Sequence, residues 1–299
     1  MACAHPIKIH QKGITHNVPC GQCMPCRVQY QEQIMFAASL ELMTAYKNGF
    51  GASFCTFTYS DDKLPENGSL RKKDLQLFIK RLRSNIDYRR PQKKFKYIAC
   101  GEYGDTFGRA HYHSVFIGLS DYEANIASKE CWKNGLIDIQ PLGRGGMRYV
   151  TKYCTKQIKG DKAVELYDNQ GIERPFLLRS KNMGKAWMME NIEKLTEDNF
   201  HYNKNSKMVP IPKYYRNKLD IYKNYDKTYV IEAMKKTASA LDMDFAEYTG
   251  YIRRINEKTL IDAARASGQP VDHKDYLIDR SYHSDLSSKI LDIVDPIPF

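Results

Sequence analysis

The chain has 299 residues, which is enough for one large or two modest domains with a buried core. Its hydrophobic content of 42% excludes a disordered chain, and no apolar run approaches the ~18 residues needed to span a bilayer. The net charge of +11, from 46 basic and 35 acidic residues, favours a polyanionic partner, nucleic acid before an anionic membrane surface. Because the N-terminus carries no apolar signal core, we expect an intracellular protein.

Four of the eight cysteines crowd the first 26 residues. In a reducing compartment, this close spacing favours a metal site over disulfide bonds. Reduced thiols on a turn that leads into a helix are the alternative. The scattered cysteines are expected to be small buried side chains. The sequence predicts a structural Zn²⁺ in this segment, held by Cys3, Cys20, Cys23 and Cys26, with His5 or His16 as substitutes for one of them.

Three elements are predicted after the cysteines. Positions 27–48 carry apolar side chains at steps of three and four, which predicts a helix. Positions 53–59 are rich in β-branched and aromatic residues and predict a strand. After a turn at 65–68, a second amphipathic helix is expected to run from a Ser69 cap to Pro91.

A hairpin is predicted next, with strands at 95–102 and 111–118 joined by a polar, glycine-rich loop at 103–110. Successive side chains of a strand point to opposite faces, so His111 and His113 share one face. Two imidazoles on one face of a strand can hold one divalent ion.

Glu102 ends the first strand of this hairpin, so it is expected beside His111, where its carboxylate would supply a third metal ligand. Its position depends on the hairpin register. A pair of half-exposed histidines without a metal is the alternative. Tyr112 lies between the two histidines and is expected to face the core.

Beyond about position 160 the patterns are weaker. We expect a cysteine-rich knuckle at 1–26, a catalytic domain at 27–200 and a mainly helical region at 201–299. The tail after 268 is expected to be loop-like. The remaining elements are a helix at 122–133, a strand at 135–140, a flexible basic loop at 143–146, a helix at 147–156, extended connectors at 174–176 and 209–215, and a charged, mainly helical stretch at 226–267.

Tyr149 and Tyr153 are four residues apart, so on a helix their phenols share one face. Lys152 and Lys156 each follow one of the tyrosines by three residues, and Arg148 adds positive charge. A phenol with a pKa of about 10 is a poor nucleophile at neutral pH, but nearby cations favour the phenolate and a metal activates the electrophile. Ordinary packing is the usual reason for such a pair. Its combination with the Glu/His group indicates nucleophilic chemistry.

The segments 56–59, 111–113 and 149–156 occur in the order of the three motifs of HUH endonucleases, the rolling-circle replication initiators and their relatives. The tyrosine pair resembles that of the initiators of small icosahedral single-stranded DNA phages. The Cys-Gly-Gln-Cys-Met-Pro-Cys-Arg start, with Gly-Glu-Tyr-Gly ahead of the histidines, is similar to the gokushovirus branch of the microviruses. The resemblance covers roughly residues 1–160.

The resemblance implies an α+β fold with a central antiparallel sheet of about five strands, flanking helices, and the histidine strand in the middle. It also implies that Mg²⁺ or Mn²⁺ at Glu102, His111 and His113 polarises the scissile phosphate. A tyrosine then attacks, giving a 5′-phosphotyrosine and a free 3′-OH. Tyr153 lies in the Val-x-x-Tyr-x-x-Lys pattern of single-tyrosine relatives and is slightly favoured as the first nucleophile. The residues that the resemblance assigns to catalysis are Tyr149, Tyr153, Lys152 and Lys156.

The function implied is site-specific nicking and rejoining of origin DNA, which initiates rolling-circle replication of a single-stranded DNA phage in the host bacterial cytoplasm. Single-stranded and replicative-form origin DNA are the expected partners, and host helicase and polymerase are further candidates; no membrane is expected. The predicted DNA contacts are Arg109, Arg144 and Arg148.

Three other functions stay open. The chain could be a plasmid or transposon HUH enzyme, a zinc-containing nucleic-acid-binding regulator without catalysis, or a metal phosphodiesterase that uses water. The middle residue of the histidine triplet is a tyrosine here and an aliphatic in the commonest family pattern, and little consequence is expected because it faces the core.

Overall fold

The protein divides into two compact units, Tyr30–Trp187 and a second unit made of Met1–Gln29 with Met188–Phe299. Among the helices of the described residues, none is both long and apolar enough to cross a bilayer. The computed structural model describes residues 3, 6–11, 13–91, 93–104, 108–143, 145–156, 158, 161–197, 201–204, 207–212, 214–215 and 228–249.

An antiparallel ribbon of two short strands, β1 (Ile7–Gln11) and β2 (Ile14–Val18), opens the chain. Helix α1 (Met24–Lys47) follows and agrees with the helix predicted at 27–48. The ribbon is absent from the sequence prediction because strands of five residues are too short for their alternation to stand out.

A five-stranded sheet forms the centre of the Tyr30–Trp187 unit, and all of its neighbouring strands are antiparallel. Four of its strands agree with the sequence prediction. The five are β3 (Ala52–Tyr59), β4 (Lys96–Tyr103), β5 (Ala110–Ile117), β6 (Gly135–Pro141) and β7 (Phe176–Arg179).

The strand order is β6–β3–β5–β4–β7, which places the histidine strand β5 in the middle. Strand β7 corrects the connector predicted at 174–176, because Phe176–Arg179 pairs with residues 98–101 of β4. A four-residue edge strand behind a proline shows no recognisable alternation, so only its pairing reveals it. The predicted α+β fold class, with a five-stranded antiparallel sheet and flanking helices, is confirmed.

Helices flank the sheet close to the predicted positions. The second helix begins at Lys72, without a Ser69 cap, because the Ser69 hydroxyl donates to the Leu70 carbonyl. Ser120 and Glu123 form a reciprocal capping box at the start of the third helix. The helices of this part of the chain are α2 (Lys72–Arg89), α3 (Asp121–Cys131), α4 (Gly146–Lys156), α5 (Asp161–Ala163) with a π-helical turn at Val164–Asp168, and α6 (Lys185–Glu190).

The C-terminal part adds helices and one small hairpin. The hairpin overlaps the connector predicted at 209–215, and the helix predicted at 226–267 is represented by its first part. Residues 250–267 and the tail after 268 lie outside the described residues. The elements here are α7 (Ile192–Glu197), β8 (His201–Lys204), β9 (Lys207–Pro210) and α8 (Thr228–Ala240).

One face of the sheet carries an aromatic core around Tyr112, which is fully buried as predicted. The Tyr112 hydroxyl lies 2.7 Å from the Tyr59 hydroxyl and accepts the Arg71 backbone N–H at 2.8 Å. Tyr59 donates to Asp74 at 2.7 Å. Burial raises the pKa of Tyr112 to about 12, so this phenol stays protonated. The surrounding core includes Phe57, Phe78, Phe116 and Trp132.

Replacing Tyr112 by Phe removes one hydroxyl and leaves the buried Arg71 N–H without its acceptor. We expect the free energy of unfolding to fall by about 1–3 kcal/mol, measured by urea unfolding with tryptophan fluorescence. The control is Tyr88→Phe, because Tyr88 is 89% exposed and its change should stay within about 0.5 kcal/mol. Equal losses in the two variants would contradict the role given to the buried network.

Candidate metal centre and tyrosine helix

Three potential metal ligands meet on the face of the sheet opposite the aromatic core. The hairpin register pairs Glu102 of β4 with His111 of β5, as the sequence predicted. Glu102 Oε1 lies 3.1 Å from His111 Nε2 and 3.0 Å from His113 Nε2. The period of two along β5 puts both imidazoles on this face and Tyr112 on the other.

The carboxylate of this group is buried and ionised. Glu102 and His113 are each only 7% exposed. Burial by itself would raise the pKa of Glu102, but its contacts with His111 and His113 outweigh burial and lower the pKa to about 2. The site therefore presents a fixed negative charge at neutral pH.

Hydrogen bonds at the far ring nitrogens orient both imidazoles. His111 Nδ1 lies 2.9 Å from the Arg109 carbonyl oxygen, which can only accept, so Nδ1 carries the hydrogen. His113 Nδ1 lies 3.0 Å from the Thr56 hydroxyl. Both Nε2 atoms consequently face Glu102, in the orientation that second partners of metal-binding histidines usually impose.

This donor set fits a divalent cation. Ligand atoms about 2.1 Å from an octahedral ion lie about 3.0 Å from their neighbours, which agrees with the two Glu102–histidine distances. Within the described part of the chain, His113 Nε2 is buried and makes no hydrogen bond, and a metal would satisfy it. With Nδ1 protonated, a neutral His111 would direct a lone pair at the Glu102 carboxylate, and a cation removes that repulsion. The three residues could therefore hold a metal ion.

Helix α4 places Tyr149 directly at this group. The Tyr149 hydroxyl donates to Glu102 Oε1 at 3.2 Å, and its ring packs edge-on against His113 with ring centroids 4.9 Å apart. Gly146 begins α4 close to Phe54, since a Cβ at Gly146 would lie 3.1 Å from the Phe54 ring. Tyr149 is 43% exposed, so an incoming substrate can reach it.

Tyr153 shares the helix face with Tyr149, as predicted, but has a different environment. The two ring centroids are 6.1 Å apart. Tyr153 is only 5% exposed, and its hydroxyl is buried. The structure therefore gives the two phenols unequal access to the Glu/His group.

The predicted basic residues are only partly in view. Arg148 and Lys152 lie half-buried on α4. The Arg144 residue and the Lys156 side chain lie outside the described residues, so their roles remain predictions.

Arg109 is engaged within its own region of the structure. Its guanidinium donates to the Tyr59 carbonyl and to Asp61, both at 2.7 Å. These bonds hold the backbone whose carbonyl accepts from His111. The predicted contact of Arg109 with DNA remains a prediction.

Two residues of β3 belong to the site but were not among the predicted site residues. Thr56 orients His113, and Phe54 stacks on the His113 ring with centroids 5.5 Å apart. The alternation of β3 could have indicated both, because they alternate with the buried residues Cys55 and Phe57 and so share the histidine face.

The four N-terminal cysteines form a second group that could bind a metal. Their sulfur atoms all lie within 4.8 Å of one another. The predicted substitutes, His5 and the His16 side chain, lie outside the described residues. The scattered cysteines for which burial is described are buried, as expected: Cys55, Cys100 and Cys131.

Residues 52–158 match the family of the replication-associated protein ORF2. The chain is 28% identical over 268 residues to replication-associated protein ORF2 of Spiroplasma virus 4, covering 74% of this chain and 81% of that protein. It is 25% identical over 274 residues to replication-associated protein VP4 of Bdellovibrio phage phiMH2K, covering 82% and 83%. Over 167 residues it is 29% identical to replication-associated protein ORF4 of Chlamydia phage 1, covering 50% and 40%. No solved structure shows significant similarity to the chain.

Replacing Thr56 by Val removes the hydroxyl that orients His113 and preserves the side-chain shape. We expect the affinity for Mn²⁺ to fall about 10- to 100-fold, measured by isothermal titration calorimetry. Thr58→Val is the matched control: Thr58 has the same strand and face, and among the described contacts its hydroxyl bonds neither histidine. Its affinity should stay within about twofold. Equal effects in both variants would contradict the assignment.

Proposed function

Because the chain belongs to the replication-associated proteins of microviruses, and so acts in DNA replication, we propose that it is an origin-nicking endonuclease and strand transferase. It would initiate rolling-circle replication of a single-stranded DNA phage in the host cytoplasm. The observation that carries this proposal is the Tyr149 hydroxyl, 3.2 Å from the carboxylate of a Glu/His/His group. A nucleophile and a metal centre are thereby adjacent.

Glu102, His111 and His113 would hold Mg²⁺ or Mn²⁺, because phosphate oxygens complete a donor set that these ions accept. When bound, the ion polarises the scissile phosphate and neutralises charge that develops in the transition state. The protein's own contribution is to fix the three donors on paired strands. Glu102 also accepts the Tyr149 O–H and so directs that phenol towards the reacting phosphate.

The phenol oxygen attacks phosphorus in line, forming a P–O bond to tyrosine. The bond from phosphorus to the 3′ oxygen breaks, the phenol proton is released, and the leaving oxygen takes up a proton to become a 3′-OH that primes synthesis. The 5′-phosphotyrosine keeps the energy of the phosphodiester, so the strand can be rejoined without ATP. Lys152, three residues from Tyr149 on the helix, favours the phenolate or neutralises the phosphate.

Tyr149 makes the first cleavage in this proposal. It contacts Glu102 and is 43% exposed, whereas Tyr153 is 5% exposed. This assignment reverses the slight sequence preference for Tyr153. While Tyr149 holds the 5′ end, Tyr153 attacks the regenerated origin, which requires α4 to move by about one turn, ~5.4 Å.

The remaining partners are part of the same proposal. Origin DNA supplies the polyanion that the net charge of +11 favours, and Arg148 and Lys152 lie beside the attacking phenol on α4. Host helicase and polymerase would act on the exposed 3′-OH. For the four cysteines we propose Zn²⁺, because four thiolates are the donors of closed structural zinc sites.

The nicking reaction is testable with 3′-labelled single-stranded oligonucleotides that tile the genome encoding the chain. With Mn²⁺, we expect a protein–DNA adduct on a denaturing gel. Tyr149→Phe should lower the rate of the first cleavage by at least about 100-fold. Tyr153→Phe should affect that step less and abolish strand joining, and the exposed Tyr88→Phe serves as control.

Cleavage without an adduct would indicate a hydrolase that uses water, and tight binding without cleavage would indicate a regulator. Loss of the first cleavage in Tyr153→Phe, with retention in Tyr149→Phe, would overturn the tyrosine assignment alone.

Metal dependence gives a separate prediction. Removing divalent ions with EDTA should abolish the adduct, and adding Mn²⁺ in excess should restore it in the wild type. The Glu102→Gln variant keeps the side-chain shape but loses the charge, so it should need at least about tenfold more Mn²⁺ for half-maximal adduct formation. Adduct formation that persists in EDTA would contradict the metal's role.

A further inference from the structure

The four-cysteine group encloses the N-terminal ribbon. Cys3 precedes β1, Cys20 follows β2, Cys23 directly precedes α1, and Cys26 lies in the first turn of α1. An ion bound to all four would close the loop of residues 3–20 at its base. It would also join that base to the start of the helix.

The sulfur positions match a tetrahedral thiolate site. Zinc–sulfur bonds of about 2.3 Å place the corners of a tetrahedron about 3.8 Å apart. Cys3 Sγ and Cys23 Sγ are 3.7 Å apart, well beyond the disulfide length of about 2.05 Å.

Backbone N–H groups support these sulfurs as thiolates. The Cys20 N–H donates to Cys3 Sγ at 3.3 Å, and the Cys23 N–H donates to Cys20 Sγ at 3.3 Å. The Gln22 N–H also donates to Cys20 Sγ, at 3.4 Å. Hydrogen bonds to a charged acceptor are stronger than those to a neutral one, so this turn is built for ionised sulfur.

Arg27 is the buried cation of this region. It is 2% exposed, and its Nε donates to the Gln22 carbonyl at 2.6 Å. Gln22 is the residue whose N–H supports Cys20, so Arg27 holds the Cys20–Cys23 turn from behind. A buried guanidinium is costly unless negative charge lies nearby.

The sequence limits where that negative charge can come from. Residues 1–31 contain no Asp or Glu, and the first acidic residue of the chain is Glu32. A Zn²⁺ ion with four thiolates carries a net charge of about −2. Within the N-terminal segment, the thiolate site is therefore the anion available to Arg27.

We infer that Arg27 positions and charge-balances the four-cysteine zinc site, and that the loaded site clamps the β1–β2 ribbon to the start of α1. The inference rests on the Zn²⁺ assignment proposed above. Arg27 contributes through its charge, which lowers the cost of gathering four thiolates. It also contributes through its bond to Gln22, which fixes the turn that carries two of them.

The test uses the full chain, reduced and purified, with zinc measured by elemental analysis and affinity by competition with a chromophoric chelator. Arg27→Lys keeps the charge, and Arg27→Gln keeps a donor for the Gln22 carbonyl without charge. We expect the Gln variant to bind zinc at least about tenfold more weakly than wild type, and the Lys variant to retain most of the affinity.

Arg89→Gln is the matched control, because Arg89 is an exposed partner of Glu130, and its zinc affinity should equal that of wild type. Chelation should also make residues 3–20 sensitive to limited proteolysis in the wild type, since the clamp is then open.

Three outcomes would overturn the inference. Equal zinc affinity in Arg27→Gln and wild type would remove the role of Arg27 and leave the zinc site standing. Resistance of residues 3–20 to proteolysis after chelation would remove the clamp. A wild-type chain that binds no zinc, or that holds iron instead, would overturn the zinc assignment together with the inference. Adduct formation at the Glu/His group is measured separately, so its failure is distinguishable from all three.

Discussion

The pairing of β5 between β3 and β4 is the constraint on which both the core and the site depend. Along β5, side chains alternate between two faces, so His111 and His113 reach the metal group while Tyr112 enters the aromatic core. The hydrogen-bond ladders on both sides fix this phase. A slip of one residue would exchange the faces, so it would bury the imidazoles and expose the phenol. Stability and chemistry are therefore set by one register.

The candidate site is organised before any ligand arrives. Glu102 is held ionised by the two imidazoles, whose outer nitrogens are fixed by Thr56 and by a backbone carbonyl. Helix α4 then places a phenol on the carboxylate. Because these groups belong to paired strands and a packed helix, little rearrangement is needed to gather them. Such preorganisation is what electrostatic catalysis requires.

Sequence patterns were sufficient where they repeat or bracket a turn. Alternation around a glycine-rich loop predicted the central hairpin and the Glu102–His111 pairing, and the ordered motifs predicted the microvirus family that the comparisons confirm. Strand β7 escaped because four residues at an edge carry no period. The difference between Tyr149 and Tyr153 escaped for another reason: both have the same helical phase, and only tertiary packing makes their access unequal.

The support of His111 has a consequence for how this site can change in evolution. The atom that accepts from His111 Nδ1 is the main-chain oxygen of residue 109. Every amino acid carries that oxygen, so substitution at this position leaves the acceptor itself in place. The side chain there is free to answer to other demands, such as the contact with Asp61. Thr56 has no such freedom, because its contact with His113 comes from the side chain. Of the two histidine supports, one is written in the sequence and the other only in the path of the chain.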